Sequence, residues 1–225
     1  MRNYVGSKGG LIIKSFLFNY VPKVKRYFSL FYGKGSFENL QEFDNVNWIC
    51  SEKNTELQLF SSMTAVIAYL DYKYLIEENV FTADDFLFCD PPYMFSTRLS
   101  GQKYYKHEFT ENDHILFLNL IKDIPAKILI THPKNELYTS MLPGWNCVEF
   151  SYQTRNGTFT DAIYFNYASG DIELLTYDYL GKDFIDRQRI KRKNKNLIKK
   201  IKNLSFHERM MLYEKLNQLQ CFVNP

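Results

Sequence analysis

The sequence predicts an α/β domain with a mostly parallel sheet that closes with an antiparallel hairpin and is followed by a basic helical tail. Short apolar runs alternate with segments of helical periodicity, and two strand patterns follow one another near residue 160. At 225 residues the chain is long enough for one sizeable core. We therefore expect one domain over residues 1–170 and a helical tail over residues 171–225.

The first predicted elements follow one another closely along the chain. Apolar spacing predicts a helix over residues 9–21, which ends at Pro22. Strands are expected at about 26–31 and 46–51, with a glycine-containing turn and a short helix between them. Apolar residues then recur at helical intervals over residues 54–78, a span too long for a strand, so we expect a long helix there.

The clearest predicted strand is FLFC, residues 86–89, a continuous apolar run. Helical and strand patterns alternate again after it, and the last two strands flank a turn at Asn156 and Gly157. The expected elements are a helix at about 111–122, a strand at 126–132, a short helix in NELYTSML, and strands at about 146–153 and 160–167.

Three features of the sequence fall at the carboxyl ends of predicted parallel strands. They are the turn that contains Gly33 and Gly35, the acid Glu52 and the acid Asp90. Because ligands of open α/β sheets bind at this edge, we expect these residues to share a site. Each also has a simpler explanation, since isolated Gly-x-Gly turns are usually structural and Glu52 would suit the cap of a helix near Asn54.

The positive charge of the chain is concentrated in the tail. The net charge is +3, but residues 182–202 hold ten Lys or Arg against two Asp, which leaves 18 basic against 23 acidic residues elsewhere. Such a segment suits phosphate contacts, although a solvated charged helix is the commoner explanation. A capping-box pattern, Ser205 with Glu208, starts a second tail helix. The candidate nucleic-acid contacts in the tail are Arg189, Lys191, Arg192 and Lys193.

Composition argues against several classes of protein. No run of about 18 apolar residues is present and the N-terminus lacks the apolar core of a signal peptide, so we expect a cytoplasmic protein without membrane contact. Four separated cysteines without a CxxC pair predict reduced, mostly buried thiols. The four histidines have no metal-ligand spacing, and His114 is expected in a helix, so no metal is predicted.

The stretch DPPY, residues 90–93 and here called the DPPY loop, ends the clearest strand with an acid, two prolines and an aromatic residue. Prolines fix their own φ angles and lack an N–H group, so the loop presents acceptors to a ligand. An exocyclic amino group of a nucleobase is such a donor. We expect the Asp90 carboxylate and the Pro91 carbonyl to accept one hydrogen each and Tyr93 to stack on the base. The base must then be flipped out of its duplex.

Residues 94–110 form a long polar and aromatic connection, and loops of this length are more often functional than idle. Its mixture of basic and aromatic side chains suits phosphates and a flipped base, while a loop merely packed on the domain is the alternative. Arg155 and Asn156 would probe a groove or phosphates, or form an ordinary polar turn. The candidates in the long connection are Arg98, Lys103, Tyr105, Lys106 and His107.

Several blocks of the sequence occur in a characteristic order. YVGSK (residues 4–8), LFYGKGSF (residues 30–37) and the DPPY loop are followed by STRLSGQKYYKHEFTENDH, TRNGTFTDAIYFN and LGKDFIDRQRIKRK. Together they resemble the Dam-like, alpha-group DNA adenine methyltransferases, most closely the compact versions of phages and mobile elements. The resemblance implies a Rossmann-like methyltransferase that uses S-adenosylmethionine to methylate the N6 atom of a flipped adenine in double-stranded DNA.

The resemblance also implies a role for each matching residue. The glycines would let the backbone approach the methionine part of the cofactor, Phe31 would pack beside it, and Glu52 would bind the ribose hydroxyls. The implied catalytic residues are Asp90, Pro91, Pro92 and Tyr93. The implied cofactor-binding residues are Tyr4, Gly6, Lys8, Phe31, Gly33, Gly35, Glu52 and Asp90.

The chain departs from the family pattern at two places. Ser29 and Leu30 stand where many relatives have an acidic residue and a proline. Larger Dam-like enzymes insert a target-recognition domain between the second-strand acid and the DPPY loop, whereas only 37 residues separate Glu52 from Asp90 here. We therefore expect low or short sequence specificity.

Two other functions stay open at the level of sequence. A methyltransferase acting on adenine or guanine amino groups of RNA is one, because DPPY-like loops and basic tails serve there as well. The other is a non-catalytic nucleic-acid-binding module that depends on the tail. In the resemblance to the Dam-like family, Asp rather than Ser at the first position of the DPPY loop implies adenine rather than cytosine as the substrate. The sequence leaves host evasion, protection from restriction and regulation equally open as biological roles.

Overall fold

A computed structural model describes residues 10–56, 65–68, 70–98, 103–154 and 157–220. The chain divides into two compact units, residues 1–178 and residues 179–225. In the described ranges, no helix combines the length and the apolar character that crossing a membrane requires.

The described part of the first unit is built on a seven-stranded sheet with the spatial order β3-β2-β1-β4-β5-β7-β6. Strands β1 to β5 are parallel, and β7 runs antiparallel between β5 and β6. This Rossmann-like order with a terminal hairpin confirms the predicted fold class. The strands are β1 (Arg26–Ser29), β2 (Trp48–Ser51), β3 (Ala65–Ala68), β4 (Asp85–Cys89), β5 (Lys127–Thr131), β6 (Asn146–Thr154) and β7 (Gly157–Phe165). The helices are α1 (Leu11–Leu17), α2 (Tyr72–Glu77), α3 (Glu111–Ile121) and α4 (Glu136–Met141).

Apolar side chains hold the centre of the sheet in register. All five residues of β4 are buried, as expected for a parallel strand covered on both faces. Phe28 of β1 lies between Ile49 of β2 and Leu87 of β4. Because these three strands are parallel neighbours, their carboxyl ends lie side by side at one edge of the sheet, where the loops that follow them meet.

The long helix expected over residues 54–78 is wrong. Residues Ala65–Ala68 form β3, which pairs in parallel with β2, and helix α2 covers only Tyr72–Glu77. The Asp71 side chain caps α2 by accepting a hydrogen bond from a backbone N–H. Residues 57–64 lie outside the described ranges. A short apolar run such as AVIA fits a strand as well as a helix, so periodicity alone did not separate the two.

The helices after the DPPY loop agree with the sequence patterns. Thr110 and Asp113 form a capping box at the start of α3, and Asn135 caps α4. His114 is on α3, as predicted, and is fully buried. The first helix, Leu11–Leu17, is shorter than the expected span of residues 9–21.

Residues just beyond the final hairpin still pair with the first unit. The N–H of Lys23 donates to the carbonyl of Glu173 (2.7 Å), and the N–H of Leu175 donates to the carbonyl of Val21 (3.0 Å). Leu174 is buried between these contacts. The segment that precedes the tail is therefore held by the backbone that follows α1.

The described part of the second unit consists of two helices, α5 (Phe184–Lys202) and α6 (Phe206–Gln220). Asp183 caps α5, and no residue of α5 is buried. The capping box predicted for α6 is confirmed, since the N–H of Ser205 donates to Glu208 (2.7 Å) and the N–H of Glu208 donates to the Ser205 hydroxyl (3.4 Å). The basic side chains predicted for the tail thus lie on a regular, solvated helix.

Candidate active site

A pocket opens at the carboxyl ends of β1, β2 and β4, with an empty volume of about 890 Å³ that includes space open to solvent. The loop after β1, the turn after β2, the DPPY loop and residues ahead of α3 supply its walls. The predicted glycine turn and both predicted acids therefore meet at one site. The floor and walls include Phe31, Gly33, Glu38, Glu52, Asp90 and Pro92.

The two glycines of the turn have different surroundings. Both adopt left-handed backbone angles, with φ of 56° at Gly33 and 66° at Gly35. Gly33 lines the pocket. A Cβ atom on Gly35 would lie 2.3 Å from the Tyr32 ring and from Asn39, so no side chain fits there. Gly33 thus exposes backbone to a ligand, whereas Gly35 allows the turn to pack closely.

The carboxylate of Glu52 is fixed by backbone donors. The N–H groups of Gly33 and Asn54 donate to its two oxygens, each at 2.7 Å. Burial raises the pKa of Glu52, and these two hydrogen bonds counteract the rise. The described residues after Glu52 form a turn rather than the helix start considered from the sequence. Glu52 is therefore oriented by the glycine turn and faces the pocket.

Glu38 is a pocket acid that the sequence analysis missed. It is only 3% exposed, and its Oε1 atom accepts a hydrogen bond from the Ser29 hydroxyl at 2.6 Å. Burial raises the pKa of Glu38 to about 7, and the nearby charge of Asp90 adds to the rise. A charged residue inside the aromatic stretch GSFENLQEF was the available sequence signal.

Neighbouring strands hold the DPPY loop at both ends. The Asp90 carboxylate accepts a hydrogen bond from the Thr131 hydroxyl at 2.5 Å. The Tyr93 hydroxyl donates to Asp161 at 3.0 Å, and the N–H of Met94 donates to Nε2 of His132 at 3.0 Å. Because a backbone N–H only donates, Nε2 of His132 is the acceptor and the ring proton lies on Nδ1. The loop is thus fixed before a ligand arrives.

Arg98 provides a further support for the DPPY loop. Its guanidinium donates to the Tyr93 carbonyl through Nε (2.9 Å) and Nη2, and it pairs with both carboxylate oxygens of Glu108. The Arg98 side chain is only 2% exposed. This inward position does not favour the nucleic-acid contact that the sequence predicts for Arg98.

Residues 103–109, here called the rim loop, lie at the mouth of the pocket. Glu108 organises the loop by accepting hydrogen bonds from the N–H groups of Tyr104 (2.6 Å) and Tyr105 (2.9 Å). Lys106 forms an ion pair with Glu56 at 2.5 Å, and Lys103 is exposed. Three of the predicted nucleic-acid contacts, Tyr105, Lys106 and His107, line the pocket.

The predicted contacts of the tail lie on α5. Arg189 pairs with Asp186 within the helix (2.7 Å). The side chains of Lys191, Arg192 and Lys193 are exposed, and none of them forms an ion pair within the described ranges. Five other predicted site residues, Tyr4, Gly6, Lys8, Arg155 and Asn156, lie outside the described residues.

Four supporting residues escaped sequence analysis. Thr131 is the last residue of β5 and His132 follows it, so the strand-end argument applied to Glu52 and Asp90 would have selected them too. Asp161 is a buried acid within the otherwise apolar end of β7, which is also an available signal. Glu108 offered none, because its partners are brought to it by the fold.

Within the described residues, no cysteine lines the pocket. Cys50 and Cys89 are buried as expected, but Cys147 on β6 is exposed, and Cys221 is outside the described ranges. Two of the three cysteines in the described ranges are therefore buried, in agreement with the prediction of mostly buried thiols. Within the described residues, no group of three potential metal ligands comes together.

The pocket suits S-adenosylmethionine. The fixed Glu52 carboxylate can accept from a pair of hydroxyls, Phe31 supplies an aromatic wall, and buried acids face a molecule that carries positive charge. Three lysines, Lys34, Lys53 and Lys106, also line the pocket, together with four acids. The residues present therefore fit the cofactor that the resemblance implies.

The fold and this pocket define a methyltransferase that uses S-adenosylmethionine. Residues 45–156, about half of the chain, match the family of D12 class N6 adenine-specific DNA methyltransferases. This segment, which includes Glu52 and the DPPY loop, belongs to that family, and the resemblance to Dam-like enzymes is confirmed.

Solved structures with a similar fold include a methyltransferase dependent on S-adenosylmethionine from Agrobacterium tumefaciens, which is 11% identical, with 68% of this chain and 58% of that chain covered and a TM-score of 0.43. An rRNA methylase from Streptococcus thermophilus is 8% identical over 68% and 92% of the two chains, with a TM-score of 0.39. Precorrin 8w decarboxylase from Methanobacterium thermoautotrophicum is 14% identical over 68% and 87%, with a TM-score of 0.39. No curated protein matches this sequence.

Proposed function

We propose that this protein transfers a methyl group from S-adenosylmethionine to the exocyclic N6 atom of an adenine flipped out of double-stranded DNA. The observation that carries the proposal is a rigid, acceptor-rich DPPY loop at the edge of a pocket that fits the cofactor. The family matched by residues 45–156 supports adenine and DNA as the substrate.

Acceptors at the DPPY loop prepare the adenine amino group for reaction. Its lone pair is delocalised into the ring, so the nitrogen is a poor nucleophile in the free base. The Asp90 carboxylate and the Pro91 carbonyl each accept one amine hydrogen, which draws the nitrogen toward tetrahedral geometry. Tyr93, held by Asp161 at 3.0 Å, stacks on the flipped base.

Residues on the Glu52 side of the pocket would hold the cofactor. Glu52 binds its ribose hydroxyls, Gly33 lets the backbone approach it, and Phe31 packs against it. The bound cofactor supplies an electrophilic methyl carbon on a positively charged sulfur. These residues would hold the cofactor at the same edge of the sheet as Asp90, where it would supply a methyl group to the amino nitrogen.

The transfer balances without a covalent enzyme intermediate. The amino nitrogen forms a bond to the methyl carbon while the carbon–sulfur bond breaks, and the electron pair of that bond stays on sulfur. One amine proton then leaves to the Asp90 carboxylate or to water. The contribution of the protein is to position the reactants and to stabilise the charge that develops on the nitrogen.

Basic residues on the rim of the pocket and on α5 bind the DNA backbone. Lys106 and His107 lie on the rim, and Lys191, Arg192 and Lys193 are exposed on α5. Phosphate contacts of this kind give affinity without sequence information. No separate recognition domain is interposed between Glu52 and Asp90, so the enzyme acts on short or weakly defined sequences.

A methyl-incorporation assay tests the proposal. The protein is incubated with isotopically labelled S-adenosylmethionine and either double-stranded DNA or structured RNA, and the digested nucleosides are identified by mass spectrometry. We expect N6-methyladenine in DNA. Incorporation into RNA alone, or DNA binding without any methylated product, would replace this function with one of the two alternatives.

The expected low specificity has its own measurement. Methylated adenines are mapped across a plasmid after exhaustive reaction, which reports every accepted sequence at once. A short or loose consensus supports DNA binding that depends mainly on phosphate contacts from the rim loop and the tail. A long strict consensus would require a recognition surface that this account does not contain.

A further inference from the structure

Three of the four acidic side chains that line the pocket follow the order of the strands beneath them. Glu52 follows β2 and Asp90 follows β4, and β1 lies between these strands. The Glu38 carboxylate accepts a hydrogen bond from Ser29, the last residue of β1, at 2.6 Å. Glu38 therefore lies between Glu52 and Asp90 at the sheet edge, and all three acids line the pocket.

Glu38 has no cationic partner in the described part of the chain. Its side chain is removed from water, with 3% exposure, and the Ser29 hydroxyl that contacts it is neutral. Burial raises the pKa of this carboxyl to about 7. A buried acid costs free energy when it ionises alone, and a cation that arrives beside it removes much of that cost.

We propose that Glu38 binds the α-ammonium group in the methionine part of S-adenosylmethionine. With the ribose at Glu52 and the methyl group directed to Asp90, the methionine part of the cofactor lies over the end of β1, where Glu38 is placed. A hydrogen bond between two charged groups is among the strongest that a protein makes. The proposal rests on the cofactor half of the proposed function and not on the DNA substrate.

The same contact supplies an acid at a strand end that lacks one. Ser29 and Leu30 occupy the positions where many Dam-like relatives have an acidic residue and a proline. Here the Ser29 hydroxyl fixes a carboxylate that enters from the loop, nine residues later in the chain. Glu38 thus replaces the missing acid from a different backbone position.

Calorimetric titration with the reaction product and a shortened analogue of it tests the assignment without DNA. S-adenosylhomocysteine keeps the α-ammonium group, whereas 5′-methylthioadenosine keeps the adenosine and the sulfur but lacks that group. For Glu38→Gln we expect the affinity for S-adenosylhomocysteine to fall by about 10- to 100-fold, the range of one charge-assisted hydrogen bond. The affinity for 5′-methylthioadenosine should change by less than about twofold.

Two further variants separate charge from folding. Glu42→Gln removes a neighbouring carboxylate that pairs with Lys14 at 2.8 Å, and it should bind both compounds normally. Glu38→Asp keeps the negative charge and should retain part of the affinity that Glu38→Gln loses. Melting temperatures of all variants show whether each protein is folded at the temperature of the titration.

Three results would overturn the assignment. Unchanged affinity of Glu38→Gln for S-adenosylhomocysteine would show that no charge pair forms. An equal loss for both compounds would show that Glu38 only supports the loop. A loss for S-adenosylmethionine but not for S-adenosylhomocysteine would place Glu38 at the sulfonium instead. Failure of methyl transfer to DNA with the predicted binding intact would contradict the proposed function and leave this assignment standing.

Proton release gives an independent readout, because the ammonium requires an ionised carboxylate. Near pH 6, below the pKa of about 7, binding of S-adenosylhomocysteine should release a proton, and near pH 8.5 the release should vanish. Glu38→Gln should lack the difference between the two pH values, and equal proton release by both proteins would refute the pairing. Among the described residues, the other titratable groups that interact with Glu38 are Tyr32, Cys50 and Asp90. Lys34, Glu52, Lys53, Asp71, Tyr72, Tyr105, Lys106 and His107 also line the pocket, and all of these groups are present in both proteins.

Discussion

The acidic pocket and the basic helix α5 differ in how firmly their side chains are held. In the pocket, side chains are fixed: Thr131 holds Asp90 at 2.5 Å and two backbone N–H groups hold Glu52 at 2.7 Å. On α5 no residue is buried, and Arg192 and Lys193 extend into solvent. Chemistry on one amino group requires atoms at fixed distances, whereas attraction to a phosphate chain requires only charge at the surface. Substitutions in the two regions should therefore fail in different ways.

Removal of Asp90 should give the largest effect. Asp90→Ala deletes the carboxylate that accepts an amine hydrogen, so we expect kcat to fall by at least about 10²- to 10³-fold, as when one preorganised transition-state partner is lost. Cofactor and DNA affinities should change far less. The matched control is Asp84→Ala, which removes an exposed acid immediately before the first residue of β4. Full activity of Asp90→Ala in single-turnover assays would remove the central role of the DPPY loop.

Arg98 and Lys103 test the difference between fixed and solvated side chains. The sequence predicts that both contact nucleic acid, but the structure buries the Arg98 side chain and exposes Lys103. Arg98→Lys keeps the charge but loses the paired donors to Tyr93 and Glu108. We expect kcat to fall by about 10- to 100-fold, typical of a supporting hydrogen bond, with little change in KM for DNA. Lys103→Met should raise KM for DNA and leave kcat nearly unaltered. A raised KM with normal kcat for Arg98→Lys would instead assign Arg98 to the DNA.

The protein without cofactor should reveal what ionisation of Glu38 costs. In the folded protein the pKa of Glu38 is about 7, above the ordinary value of 4.5, so the folded state binds this proton more tightly than the unfolded state does. This contribution to stability is complete below about pH 4.5 and is lost as the pH rises through 7. Glu38→Gln mimics the protonated acid and should be more stable than the unaltered protein by about 1–3 kcal/mol above pH 7.

Denaturant unfolding at pH 4.5 and pH 8 measures this difference. The stabilisation by Glu38→Gln should be present at the higher pH and nearly absent at the lower one. Equal effects at both pH values would mean that Glu38 does not titrate between them. The buried acid of the pocket would then differ less from the solvated side chains of the tail in its ionisation than its burial indicates.

Neutralising the tail should give the smallest effect on the reaction. A Lys191→Gln, Arg192→Gln, Lys193→Gln protein should bind DNA more weakly, and its log–log salt slope should flatten by about 0.9 for each phosphate that the protein no longer neutralises. The value of kcat at saturating DNA should be unchanged. Lys23→Gln with Lys25→Gln, which removes two exposed and already paired charges, is the control. An unchanged salt slope would make α5 a solvated helix that does not touch DNA.

The sequence predicted the parts of the site that depend on strand ends. A buried strand followed by Asp90, and a second strand followed by Glu52, are local patterns, and a parallel sheet brings such ends together. The prediction of one long helix over residues 54–78 was wrong, because a four-residue apolar run does not distinguish a strand from a helix. The roles of Glu38 and Arg98 were also beyond the sequence, since each depends on a partner that only the folded chain brings near.

A crystal structure of the protein with S-adenosylhomocysteine and an adenine-containing duplex tests the central claim most directly. The account predicts an adenine outside the helix, with its amino nitrogen about 3 Å from both the Asp90 carboxylate and the Pro91 carbonyl. The sulfur atom of the cofactor should face that nitrogen, so that a methyl group on the sulfur would point directly at the nitrogen. An adenine that remains stacked in the duplex, or a pocket filled by the protein's own side chains, would contradict the account.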